Sequence, residues 1–590
     1  MSIVLIPLLL PLGTAALLLA AEHLMPRRGP DALAILASAA GTVMAALLVV
    51  RTLDAPIVYW FGGWQIVGHA AIGISFVVGP AGALIAAFSS LLFLASFVFS
   101  WGYFDQAPAR YYALMLIFLG ALVGFCLSGD IFNMFVFFEL MSVAAFAVTA
   151  YKLEASGIEG ALNFTIMTMI GSFLLLAGIG MVYARTGALN LAQIGRAVEG
   201  APADPAVTMA FVLIMGGLMI KGAIMPFHFW LADAHAVAPS PVCVIFSGIM
   251  VPMALFGVGR IYWTVFQPSP IASNLMHDLM LYLGITSAVL GGCACLMQRH
   301  LKRMLAFSTV SHMGIMLAGL ASLTASGAAG FLLYLLGHGL VKGALFMLTG
   351  VMMSRHGEVD EVALRGKGRD LPLCGIAFAT SGLLLAGLPF GTMAFGHGVI
   401  DHALEDRGLW VSLLLTFGAA LTGAAVLRAT GRMFLGLGRN TGQESSSSTK
   451  HEQEKDRSLL LLLAPAIGFL VFALVTADLP IHDVIARAAG FYTDGHAYAA
   501  LVLQGAQPGP NGADLTESGS WLGWCGIVVA LVIAAFELNR DRLPKPLLRA
   551  ADAPSVPVLL LINRMHTGRV GDYALWAFFG LTLFAGVIWW

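Results

Sequence analysis

Long apolar runs separated by short polar stretches occupy almost the whole chain. A run of about 20 apolar residues is long enough to cross a bilayer as a helix. Such runs fall near 2–21, 32–53, 72–100, 111–128, 131–150, 161–184, 206–228, 240–266, 275–297, 301–322, 327–353, 371–400, 408–437, 458–477, 521–538 and 573–590. The pattern predicts an all-α polytopic membrane protein with about sixteen transmembrane helices. Between the runs, Gly438 to Arg457 reads GRNTGQESSSSTKHEQEKDR and predicts a disordered cytoplasmic loop. Asp478 to Ser520 is mixed and rich in Gly and Pro, which predicts an external loop. Asn539 to Gly571 is basic with scattered prolines and predicts a connection carrying an interfacial helix.

Composition agrees with the pattern. Of 590 residues, 59% are hydrophobic and 11% charged, against about 25% charged in soluble domains. The net charge of -1 excludes a basic nucleic-acid binder. The first twenty residues lack a basic leader and predict a spanning helix, not a cleaved signal. Six cysteines form no CxxC pair, and Cys293 and Cys295 point to different helix faces. No GxGxxG or P-loop pattern occurs. The expectation is therefore no cofactor, no metal and no redox site in this chain, with any such group held by partner subunits.

Basic residues set the orientation. Of 31 lysines and arginines, 23 fall in loops on one side, 6 on the other, and Lys221 and Lys342 lie within the membrane. The asymmetry predicts both termini outside the cytoplasm of a cell (inner) membrane.

Charges inside apolar runs are candidate functional groups, because each costs roughly 2.5–3.5 kcal/mol at the bilayer centre. Lys221 sits deep in a run, and Pro226 breaks that helix five residues later. Irregular backbone at membrane depth survives only where protein or water surrounds it. Glu139, eight residues into IFNMFVFFELMSVAAFAVTAY, is the natural partner of Lys221. A snorkelling lysine and a helix-end carboxylate are the competing readings. Farther on, His338 and Lys342 are four apart on one helix face, a spacing that suits a proton relay. A second proline, Pro389, interrupts another run, with His397 eight residues after it. Two broken helices in successive bundles, each with an ionisable residue, point to a transport pathway. His228 and His312 are weaker candidates, with a structural role as the alternative for His312 and a structural histidine bonded to a backbone carbonyl as the alternative for His338.

These residues carry a resemblance. DIFNMFVFFELMSVAAFA, KGAIMPFHFWLADAHAVAPSPV, LKRMLAFSTVSHMGIM, GHGLVKGALFM and AGLPFGTMAFGHG follow one another over roughly 70–435. In order and spacing the chain resembles the antiporter-like subunits shared by respiratory complex I, Mrp-type cation/proton antiporters and energy-converting membrane hydrogenases. The resemblance implies two inverted five-helix repeats, about 111–266 and 275–437, each with a proline-broken helix. It divides the chain into N-terminal transmembrane helices (1–105), a proton-conducting core (106–437), the loop 438–457 and a C-terminal transmembrane extension (458–590). It implies a proton path through Glu139, Lys221, His338, Lys342 and His397, with helix breaks at Pro226 and Pro389. Two positions depart from the family. His397 stands where a lysine or glutamate is usual. The eighth helix, CVIFSGIMVPMALFGVGRIY, has Pro252 and Ser247 at the positions of the family's lysine or histidine. The implied function is that of a proton-translocating subunit of a multisubunit membrane complex, with protons, Na+ as a candidate, other membrane subunits and the lipid bilayer as partners. A structural subunit with an impaired channel and an autonomous ion transporter are the alternatives.

Overall fold

The computed structural model describes residues 3–64, 73–199, 204–267, 274–438, 459–475, 481–509, 512–544, 546, 548 and 570–589. The chain is an all-α polytopic membrane protein. Among the described residues, twelve helices are long and apolar enough to cross a membrane. Pro205–Lys221, Pro372–Leu385 and Leu459–Val475 are shorter apolar helices, and Val570–Trp589 is the last helix described. The expected loop 438–457 lies outside the described residues except for Gly438, as does most of the connection 539–571.

Helix starts follow capping chemistry. The Asp130 carboxylate accepts from Asn133 N at 2.8 Å and opens Ile131–Thr149. Asp204 caps Pro205–Lys221, where Pro205 takes the first turn and loses no hydrogen bond there. The Thr324 hydroxyl caps Ala325–His356, a 32-residue helix that ends at Gly357 in the left-handed region. This helix is buried along nearly its whole length and packs against Leu301–Ala321, Thr392–Ala403, Leu459–Val475 and Ile481–Thr493.

Small residues let helices approach at the points that matter for the charges. Gly171 and Gly217 meet backbone to backbone, so a Cβ on Gly217 would fall 2.6 Å from the Gly171 carbonyl. That crossing joins Ala155–Thr186 to Pro205–Lys221 one turn from Lys221. Gly248 and Gly339 likewise bring the Ser240–Phe266 helix onto Ala325–His356.

Three expectations need correction. The run expected at 72–100 begins as strand Ser75–Val78, paired antiparallel with Ile57–Trp60, and the helix starts at Pro80. Both strands are rich in β-branched and aromatic residues, which favour that pairing. The expected external loop 478–520 contains two helices, Ile481–Thr493 and Gly495–Gln504. Their apolar faces pack on the core through Tyr492 and Tyr498, which the Gly and Pro content of the segment hid. Lys302 and Arg428, two of the 23 basic residues assigned above to loops on one side, are buried within helices. The Lys302 ammonium donates to Ala238 O at 3.0 Å. Arg428 and Arg432 both pair with fully buried Glu361. Long stems carry these charged heads to partners beneath the helix ends.

Candidate functional site

Two clusters of buried polar groups lie on either side of the Ser240–Phe266 helix. In the first, Lys221 ends the Pro205–Lys221 helix. Ala223 follows in the left-handed region at φ 50°, Pro226 lies in the break, and helix resumes at Phe229–Val237. The freed backbone is satisfied from within the protein. Trp230 Nε1 donates to Ile220 O at 3.0 Å, and Met225 N donates to Ser287 Oγ at 3.0 Å.

The Lys221 ammonium lies 2.8 Å from Glu139 Oε1 and donates to Ser142 Oγ at 3.0 Å. Ser172 Oγ donates to the same carboxylate oxygen at 2.5 Å. The Phe138 ring sits 4.6 Å from the ammonium. The Lys221 side chain is 3% exposed and that of Glu139 20%, so the pair is sheltered and the carboxylate is its more exposed partner. A buried pair of this kind holds a proton in place only while the two groups stay together.

The second cluster is organised differently. Lys342 is fully buried and donates to Leu305 O and Ser308 Oγ, with Phe346 at 5.5 Å. No carboxylate pairs with it among the described residues. One turn away, His338 is fully buried, and among the described residues neither ring nitrogen has a hydrogen-bond partner. Its ring lies 5.4 Å from that of His312. His312 is held by Tyr334 Oη at 2.7 Å on Nδ1 and Thr422 Oγ1 at 3.0 Å on Nε2. The Tyr334 ring is 5.7 Å from His397, whose Nε2 lies 3.9 Å from Asp401 Oδ2. Pro389 lies in the break between Pro372–Leu385 and Thr392–Ala403, flanked by Gly387 and Gly391 at φ 104° and 105°. Only glycine adopts those angles freely.

Between the clusters the eighth helix contributes Ser247, which shares a hydrogen bond of 2.7 Å with Thr309. Thr309 and Lys342 both donate to Leu305 O, so polar contacts run from Lys342 to Ser247. Phe246 faces Phe164, which stacks on Trp230 at 4.6 Å; this row of aromatic rings ends where Trp230 Nε1 donates to the carbonyl of Ile220, the residue before Lys221. His235, on the helix after the first break, stacks on Phe346 at 4.7 Å, and among the described residues neither ring nitrogen has a hydrogen-bond partner. His228 is buried with its ring 4.4 Å from Phe229 and 6.3 Å from Phe307.

Every residue expected at the site is thus placed: Glu139 with Lys221, and His338, Lys342, His312 and His397 in one file. The sequence missed Ser142, Ser172, His235, Tyr334, Thr422 and Asp401. Hydroxyls in apolar helices ordinarily bond their own preceding turn, and only the packing singles these out. Asp401, four residues after His397, carried a spacing signal that could have been read.

The family described as NADH:quinone oxidoreductase/Mrp antiporter, TM, matches residues 128–422. An NADH-quinone oxidoreductase subunit of Desulforudis audaxviator is 31% identical over 410 residues, covering 68% of this chain and 80% of that protein. A Na(+)/H(+) antiporter subunit of Bacillus subtilis is 26% identical, over 80% of this chain and 93% of its own. Among solved structures, a chain of the Mrp complex from a Dietzia species superposes with a TM-score of 0.74 at 24% identity, covering 85% of this chain and all of that one. A chain of the archaeal membrane-bound sulfane sulfur reductase superposes with the same TM-score at 23% identity, covering 85% and 99%.

Proposed function

Because the chain belongs to the NADH:quinone oxidoreductase/Mrp antiporter transmembrane family, we propose that it translocates protons as one membrane subunit of a multisubunit complex. The observation that carries this reading is the Lys221–Glu139 pair beside a broken helix. With the pair closed, Glu139 holds Lys221 protonated. With it opened, Lys221 faces an apolar surround alone and gives its proton up. The proton then passes toward Lys342, His338, His312 and His397. Transfer between the halves crosses the row of aromatic rings at Phe246, with His235 and the Ser247–Thr309 pair on its far side. Movement of that row gates the path by admitting or excluding water.

The basic-residue asymmetry supports both termini outside the cytoplasm, in a bacterial cell membrane. A Ser446→Cys thiol should then resist labelling from outside and an Asn511→Cys thiol should accept it. Relatives named as subunits of NADH-quinone oxidoreductase and of Na(+)/H(+) antiporters support partners in the same membrane. Redox subunits or Na+-exchanging subunits both fit that role.

The test is pH-gradient decay in inverted vesicles, with assembly checked on native gels. Glu139→Ala should abolish proton flux, and Glu139→Asp should retain part of it. Normal flux in an assembled Glu139→Ala complex contradicts the reading and favours a structural subunit with an impaired channel. That alternative draws its support from Pro252 and the absence of lysine or histidine in the eighth helix.

A further inference from the structure

The family match ends at residue 422, yet the file of polar groups beyond Lys342 leads to a cavity built partly by the C-terminal extension. This cavity holds about 260 Å³ and is lined by the Gly387–Gly391 break, His397, Asp401, Thr416 and Glu517. Asp401 and Thr416 are buried, and Asp401 Oδ1, Thr416 Oγ1 and His397 Nε2 have no hydrogen-bond partner among the described residues. Leaving a carboxylate oxygen buried and unpartnered is costly. A carboxylate oxygen, a hydroxyl and an imidazole nitrogen left without partners around one cavity mark a place that receives a polar guest.

Glu517 forms the mouth. It lies in an extended strap, residues 512–520, that is fixed at several points. Ala513 N donates to Ala486 O at 2.9 Å, and Asp514 accepts from both the backbone and hydroxyl of Thr516. Ser518 donates to Gly398 O from its backbone at 3.1 Å and from its hydroxyl at 3.3 Å. Gly398 lets the strap lie close, because a Cβ at that position would sit 3.1 Å from Glu517 Cβ and push the strap outward by a few tenths of an ångström. The Glu517 residue itself is exposed. Its partial burial raises the carboxyl above its ordinary range, and His482 opposes that rise. Glu517 therefore sits one step from solvent and one cavity from Asp401.

We propose that Glu517, supplied by the C-terminal extension, is the terminal proton-exchange group of the path. His397 gives its proton to the Asp401 carboxylate, 3.9 Å away, across a gap that a small side-chain rotation closes. Protonated Asp401 passes that proton through the cavity to the Glu517 carboxylate, and Glu517 releases it to bulk water. The C-terminal extension is then part of the conduit. The inference rests on the proton-translocation reading above.

The experiment uses the assembled complex in inverted vesicles, with assembly checked on native gels. Glu517→Gln should lower proton flux roughly tenfold or more, as expected when a positioned proton-exchange group is lost. Glu517→Asp should retain most of it. Glu517→Cys is made with Cys525→Ser, which removes the exposed native thiol. Intact cells are treated with 2-carboxyethyl or 2-aminoethyl methanethiosulfonate before vesicles are prepared. The carboxylate adduct should restore flux and the amine adduct should not. Full flux in assembled Glu517→Gln, or equal flux from the two adducts, overturns the proposal. Should Glu517→Gln fail to assemble, the two adducts decide. Conduction by an assembled Lys221→Ala complex strikes instead at the underlying reading. A block at Lys221→Ala with free conduction in Glu517→Gln removes only the role of the strap.

Discussion

The two halves of the core each bury a lysine, and they solvate it differently. Lys221 has a carboxylate, two serines gathered around the pair and an aromatic face. Lys342 has a carbonyl, one hydroxyl and an aromatic face, with histidines in line beyond it. A charge with a counter-charge is stable until the pair is pulled apart. A charge with only dipoles around it is poised to lose its proton whenever a neighbour can take it. On the proposed reading, the first half therefore works as a switch and the second as a relay. The helix breaks differ in the same sense. The first forces Ala223 into the left-handed region, whereas the second uses Gly387 and Gly391, which rest there without strain.

The largest contrast concerns removal of one charge. Glu139→Ala strands Lys221 and should destabilise the assembled protein by about 3–5 kcal/mol, seen as a lower melting temperature in detergent. Lys342→Met strands nothing. It should leave melting within about 1 kcal/mol of the parent while blocking proton flux. Equal destabilisation by the two changes would erase the distinction between switch and relay.

A smaller effect follows from Ser172→Ala. It removes a hydrogen bond to an ionised carboxylate and should cost about 1.5–3 kcal/mol, with flux reduced rather than lost. The smallest effect is a gain. Ala223→Gly relieves the left-handed alanine and should add about 1 kcal/mol. Chemical denaturation would read both, and a loss at Ala223→Gly would deny that the first break is the strained one.

The parts that a sequence states in composition were legible. Glu139, Lys221 and Lys342 stand out as charges in apolar runs, and Pro226 and Pro389 lie in runs where their missing N–H favours a helix break. The partners were not legible, because Ser142, Ser172 and Thr422 look like any hydroxyl in an apolar helix. Their roles depend on which faces meet, and close crossings such as Gly171 with Gly217 decide that. His312 was ranked low because its partners, Tyr334 and Thr422, lie 22 and 110 residues away. Glu517 was hidden for the same reason. It lies in a polar strap 120 residues after His397, and only packing against Gly398 brings it to the cavity.

Proton flux through an assembled Lys221→Ala complex tests the central claim most directly, since that lysine is the charge that Glu139 holds or frees. The measurement is decay of an imposed pH gradient in inverted vesicles, with native gels confirming assembly. Flux indistinguishable from that of vesicles lacking the complex is the predicted result. Normal flux in the assembled variant would contradict the account.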